Sequence, residues 1–137
     1  MDQSQKTALA TFLLRISLGV MYLSHSIVLK LLTFGFAGTA GFFVSIGLPG
    51  WLAYVTIVAE AVGGTLLVLG WHTRVVALAL IPTLLGAIIW VHAPNGWVFS
   101  NKGGGWEYPA FLVVASVVLA LLGDGAYALS RRARGRA

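Results

Sequence analysis

Apolar residues run along this chain in long blocks, and polar positions inside the blocks are few enough to name individually. Four blocks stand out, at Thr7–Leu32, Trp51–Gly70, Thr73–His92 and Tyr108–Leu129. Each has about the length of a membrane-spanning helix, which needs roughly 20 predominantly apolar residues. The pattern predicts an all-α membrane protein, a four-helix bundle within one domain over residues 1–137. Pro82 lies near the middle of the third block and predicts a kink there.

Between the first two blocks, Thr33–Gly50 is apolar yet broken by glycine. It is too short to span and predicts an interfacial helix around Thr39–Ile46, with Phe42, Phe43 and Ile46 on its apolar face. The join Ala93–Trp106 carries Pro94-Asn95-Gly96 and Lys102-Gly-Gly-Gly105, which are turn signals. Trp90, Trp97, Trp106 and Tyr108 fit an aromatic belt at that interface.

Composition narrows the function classes. Of 137 residues, 58% are hydrophobic and 9% charged, against about 25% charged in soluble domains. The formal net charge of +5 would suggest nucleic acid in a soluble protein. Here Arg131, Arg132, Arg134 and Arg136 form a basic tail at the end of the chain, which reads as a topology signal and an anionic-lipid contact. No nucleic-acid role is expected, and the bilayer is the first partner. Lys6, Arg74 and the tail on one side, with Lys102 on the other, predict both termini in the cytoplasm. The chain has no cysteine, which removes disulfides, thiol chemistry, c-type haem attachment and cysteine-ligated clusters.

The polar residues inside the blocks are the candidates for chemistry. Glu60 is the one charge in Trp51–Gly70, where a carboxylate at the bilayer centre costs about 2.5–3.5 kcal/mol. Ala53, Thr56, Glu60, Gly63 and Gly64 make a small-residue stripe that admits a close neighbour. The first block offers Arg15, Gly19, Tyr22, Ser26 and Lys30 on one face. Arg15 comes within roughly 7 Å of the depth of Glu60 at about 1.5 Å per residue. The expectation is an Arg15–Glu60 ion pair, extended by Tyr22 and Ser26 into a buried polar core. Such a pair either locks the packing register or takes part in binding and proton handling.

A second set falls at the opposite end from the tail: His25, Lys30, His92, Trp106, Glu107 and Tyr108. Two histidines and a carboxylate suit a metal or the head group of a quinone, although their spacing proves neither. Capping of a fourth helix is the plain reading of Glu107, which Pro109 follows. His72 and Arg74 read as turn and topology residues.

Read in order, these residues are similar to the DoxX family of small bacterial membrane proteins. The matching text is Leu13-Leu-Arg15, Leu18-Gly19, His25, Lys30-Leu31, Gly38-Thr-Ala-Gly-Phe-Phe43 and Gly47-Leu-Pro49. It continues with Glu60, Gly63-Gly64, Leu69-Gly70, Thr73-Arg74, Val91-His92, Asn95-Gly96 and Gly104-Gly-Trp-Glu-Tyr-Pro109. Two departures are Ser26 where the family often has glycine, and Gly50-Trp51 where a longer polar join is common. The resemblance implies a four-helix inner-membrane bundle and the label oxidoreductase, which derives from members resembling a subunit of quinone-linked thiosulfate oxidation. No flavin, nucleotide or haem motif is present, so that label rests on resemblance alone. The expectation is a small quinone- or ligand-binding membrane subunit that assists a redox partner protein, with a homo-oligomer also compatible. The alternative is a non-catalytic assembly or chaperone-like protein whose buried charges only fix the bundle.

Overall fold

The helix of the first block begins at Gln3, four residues ahead of Thr7, because a capping box closes its N-terminus. The Asp2 carboxylate accepts the Gln5 amide at 2.7 Å, and the Gln5 side chain accepts the Asp2 amide at 3.0 Å. Helix α1 (Gln3–Leu23) then continues without a break into a π-helical stretch, Ser24–Thr33. The Phe34 amide bonds the Leu29 carbonyl and the Thr33 hydroxyl bonds that of Val28, both five residues back. The computed structural model describes residues 1–130, so the four tail arginines lie outside the described residues.

Among the described residues the architecture is all-helical. The helix after α1 is present as α2 (Gly35–Ser45), starting four residues before the expected Thr39. Phe36 packs on Tyr54 at 5.7 Å, and Thr39 is buried, so α2 lies against its neighbours. Helix α3 (Trp51–Leu69) packs most extensively on α1. The contact is close because a Cβ added to Gly19 would sit 2.9 Å from the Gly64 carbonyl, and one on Gly64 2.9 Å from the Gly19 carbonyl.

The third block forms α4 (Thr73–Ala79) and α5 (Ile81–Gly86), continued by a π turn at Ala87–His92 and a 3-10 turn at Ala93–Asn95. The interruption at Leu80 is the expected proline effect, since Pro82 has no amide to extend the ladder from α4. Helix α6 (Glu107–Leu122) packs on α4 and α5. Leu18, Tyr22, Leu67, Leu80, Leu112 and Leu119 meet at the centre.

Among the described residues, three helical runs are long and apolar enough to cross a membrane: Gln3–Thr33, Trp51–Leu69 and Thr73–Asn95. Helix α6 is shorter, at 16 residues. The fourth block was expected to run to Leu129, but the helix stops at Leu122. Gly123 and Gly125 take φ of +89° and +69°, a region that ends a helix readily only at glycine. The chain then folds back across the bundle end, where the Ala126 amide bonds the Ala8 carbonyl and the Ser130 amide that of Gly70.

Candidate functional site

The expected Arg15–Glu60 pair does not form. Helix α1 runs antiparallel to α3, which places Arg15 beside the C-terminal turn of α3 rather than its centre. There Nη1 donates to the Leu67 carbonyl at 2.6 Å and to the Val68 carbonyl at 2.8 Å. Nη2 donates to the Ala126 carbonyl at 3.0 Å. The last carbonyls of a helix lack intrahelical partners and carry the negative end of its dipole, so a planar cationic fork satisfies both needs. Gly70 makes room for it: its φ of +70° closes a Schellman turn, and a Cβ there would lie 2.6 Å from Arg15 Nη1. The guanidinium also stands 5.5 Å from the Phe12 ring centre. Arg15 is 0% exposed.

Glu60 pairs with Lys30 instead, through Oε2. The π stretch places Lys30 against α3, and Thr39 of α2 fixes that turn by donating to the Lys30 carbonyl at 2.8 Å. Lys30 was expected in the outer set, so the structure moves it into the core. Its side chain remains 18% exposed and that of Glu60 8%. Tyr22 is buried on the same α1 face, with Ser116, Thr83 and Glu60 as its polar neighbours. Ser26 is buried and spends its hydroxyl on the Leu23 carbonyl at 3.4 Å.

The remaining outer candidates are distributed rather than gathered. His25 Nδ1 lies 3.0 Å from the Met21 carbonyl, and His92 Nδ1 2.9 Å from that of Gly104. Among the described residues, no group of three His, Cys, Asp or Glu side chains is placed to hold a metal. Glu107 opens α6 but does not cap it; Oε1 accepts the Phe99 amide at 2.8 Å and ties the long join to the helix. Asn95 completes that join by donating to the Gly103 and Gly104 carbonyls, each at 3.0 Å. Trp106 meets Trp97 edge-on, ring centres 4.4 Å apart.

What this end does build is a groove of about 680 Å³ lined by Trp97, Phe99, Glu107, Tyr108, Phe111 and Val114. Of these, Glu107 and Tyr108 were candidates from the sequence. Trp97 had been read only as a belt residue, and Phe99, Phe111 and Val114 carried no distinguishing signal in an apolar chain. A second groove, of about 630 Å³, lies at the tail end between Gln3, Thr7, Thr11, Arg74, Asp124 and Gly125.

Comparison with known proteins adds the family. The DoxX family model matches residues 10–93, which hold Arg15, Tyr22, Lys30, Glu60 and His92. A Bacillus subtilis (strain 168) protein named "Putative oxidoreductase CatD" is 38% identical over 122 residues, covering 88% of this chain and 84% of that protein. No solved structure matches the chain.

Proposed function

This chain belongs to the DoxX family of membrane proteins, and we propose that it is a small membrane subunit that binds a quinone-type ligand for a redox partner. The observation that carries this reading is the groove beside α6. Its volume of about 680 Å³ lies inside the usual 300–1,000 Å³ range of ligand pockets. Four aromatic rings and Val114 give a flat apolar ligand faces to pack on. One Glu107 oxygen holds the Phe99 amide, and the other is left to accept a hydroxyl of the reduced ligand. The chain has no cysteine or nucleotide-binding motif, so the partner is the source of electrons. The Bacillus relative, named "Putative oxidoreductase CatD", agrees with this class.

In this reading α6 completes a fourth crossing. Its 16 residues rise about 24 Å, short of a hydrocarbon core of roughly 30 Å, so the bilayer thins around it. The balance of Lys6 and Arg74 against Lys102 supports termini on the cytoplasmic side of a bacterial inner membrane. A second reading, an assembly protein without a ligand, is favoured by Arg15, whose fork donates to three backbone carbonyls.

Purification in mild detergent, followed by solvent extraction and mass spectrometry, should find a co-purifying quinone. A short-chain ubiquinone or menaquinone added to stripped protein should quench tryptophan fluorescence saturably, and Phe111→Ala should weaken that binding. A ligand-free preparation with no saturable quenching would leave the assembly reading in its place.

A further inference from the structure

The bundle interior holds a polar constellation that the α6 groove does not use. Four packed helices each contribute one polar side chain to it: Tyr22 from α1, Glu60 from α3, Thr83 from α5 and Ser116 from α6. Tyr22 and Ser116 are each 1% exposed, and among the described residues their hydroxyl oxygens complete no hydrogen bond. A buried hydroxyl left unpaired costs about 1–3 kcal/mol, so two side by side are unusual where apolar replacements would pack. Thr83 has already spent its proton on the Leu80 carbonyl at 2.8 Å and can only accept. Tyr22 and Ser116 therefore hold hydroxyl protons not yet donated, Thr83 is an acceptor beside Tyr22, and the Glu60 charge acts on Tyr22.

We propose that Lys30, Glu60 and Tyr22 form a proton-exchange site inside the bundle, at which Glu60 reversibly binds a proton that enters through Lys30. Of the three, Lys30 is the most exposed. The Lys30 ammonium passes a proton from Nζ to Glu60 Oε2, which leaves a neutral amine and a carboxylic acid. Water at the exposed side returns a proton to the amine. The sum is one proton moved from water onto Glu60, with no change in electron count. Both charges are costly in an apolar bundle, and the Tyr22 hydroxyl, which completes no hydrogen bond, lies within electrostatic reach of Glu60. Release runs the same steps backwards.

The surroundings restrict the exchange to that route. Elements packed against α3 are α1, its π continuation, α2 and α4. Among their titratable groups, Arg15 is committed to carbonyls at the other end of α3 and Arg74 is exposed at the tail end. His25 is set on the Met21 carbonyl, and α2 has no titratable side chain. Toward Arg15, Leu18 and Leu67 are 2% and 0% exposed and close the site on that side. The proposal does not depend on the α6 groove or on any quinone.

Infrared difference spectroscopy between acid and alkaline buffer, on the full chain in phosphatidylcholine vesicles, tests it. The expected signal is a protonated-carboxyl band that shifts in D2O, is lost in Glu60→Gln and is displaced in Tyr22→Phe. Lys30→Gln should slow its hydrogen–deuterium exchange at least tenfold. Because Glu60→Gln could fail to fold, a second sample carries Glu107→Gln with 13C-labelled glutamate, in which Glu60 is the one labelled carboxyl. The band must then show the isotope shift. Absence of the band from the wild-type protein, its lack of a 13C shift, or indifference to Tyr22→Phe would overturn the proposal.

Discussion

Arg15 and Glu60 are both charges buried in apolar helices, and the fold handles them in opposite ways. Arg15 is answered by backbone: three carbonyls from two segments accept from it, and none of those partners can gain or lose a charge. Glu60 is answered by a side chain, the partly exposed Lys30, with the unpaired Tyr22 hydroxyl within electrostatic reach. The first arrangement has one low-energy state and behaves as a fastener. The second joins two side chains that can each exchange a proton, so chemistry is available to it. Burial of a charge therefore does not by itself mark a functional group; the kind of partner does.

Breaking the fastener should have the largest effect. Arg15→Ala removes the fork and leaves the end of α3 and the returning segment unjoined, at a cost of about 3–5 kcal/mol, the scale for disrupting a buried charged network. Reversible unfolding in mixed micelles would measure it, and Arg15→Lys should restore only part, since an ammonium lacks the fork. A loss under 1 kcal/mol would mean that the carbonyls find other partners.

The Glu60 end should respond differently. Lys30→Met alone strands a carboxylate and should cost about 3 kcal/mol, while Lys30→Met/Glu60→Met should return to within about 1 kcal/mol of wild type, because a well-packed apolar pair replaces an ionic one at little net cost. A double variant as unstable as the single would make this pair a fastener too. Glycine substitutions separate the regions by a smaller amount. Gly70→Ala forces φ of +70° on a side chain and drives Cβ to 2.7 Å from the Ala128 backbone, for a loss of about 2–3 kcal/mol. Gly63→Ala meets the buried Leu80 side chain, with Cβ 2.8 Å from its methyl carbons and no backbone strain, and should cost about 1–2 kcal/mol. Smallest of all, Tyr22→Phe deletes a hydroxyl without a completed bond and should change stability by under about 1 kcal/mol. Thermal scans in detergent would rank the three.

The helices were largely legible because each rests on local signals: apolar blocks, the break at Pro82, and a glycine-punctuated segment that forms α2. The fourth helix was overestimated, since Tyr127 and Leu129 extend the apolar text while Gly123 and Gly125 carry the turn geometry that ends it. The buried polar residues were also legible as a class, because Arg15, Tyr22, Ser26 and Glu60 interrupt apolar text. Their partners were not. Depth counting placed Arg15 near Glu60, but it could not register that an antiparallel helix end nearby offered free carbonyls. Lys30 shared the expected face of the first block but was placed at its outer end, with Glu60 assigned to Arg15.

Sequence alone decided that this chain is a helical membrane protein of the DoxX family with charges in its interior, because hydropathy and glycine spacing act over a few residues at a time. Tertiary structure decided who meets whom: Arg15 with the carbonyls of Leu67, Val68 and Ala126, Lys30 with Glu60, and Glu107 with the Phe99 amide. Those pairings span up to 111 residues of chain. They depend on crossing points such as Gly19 on Gly64, which only the packed bundle defines.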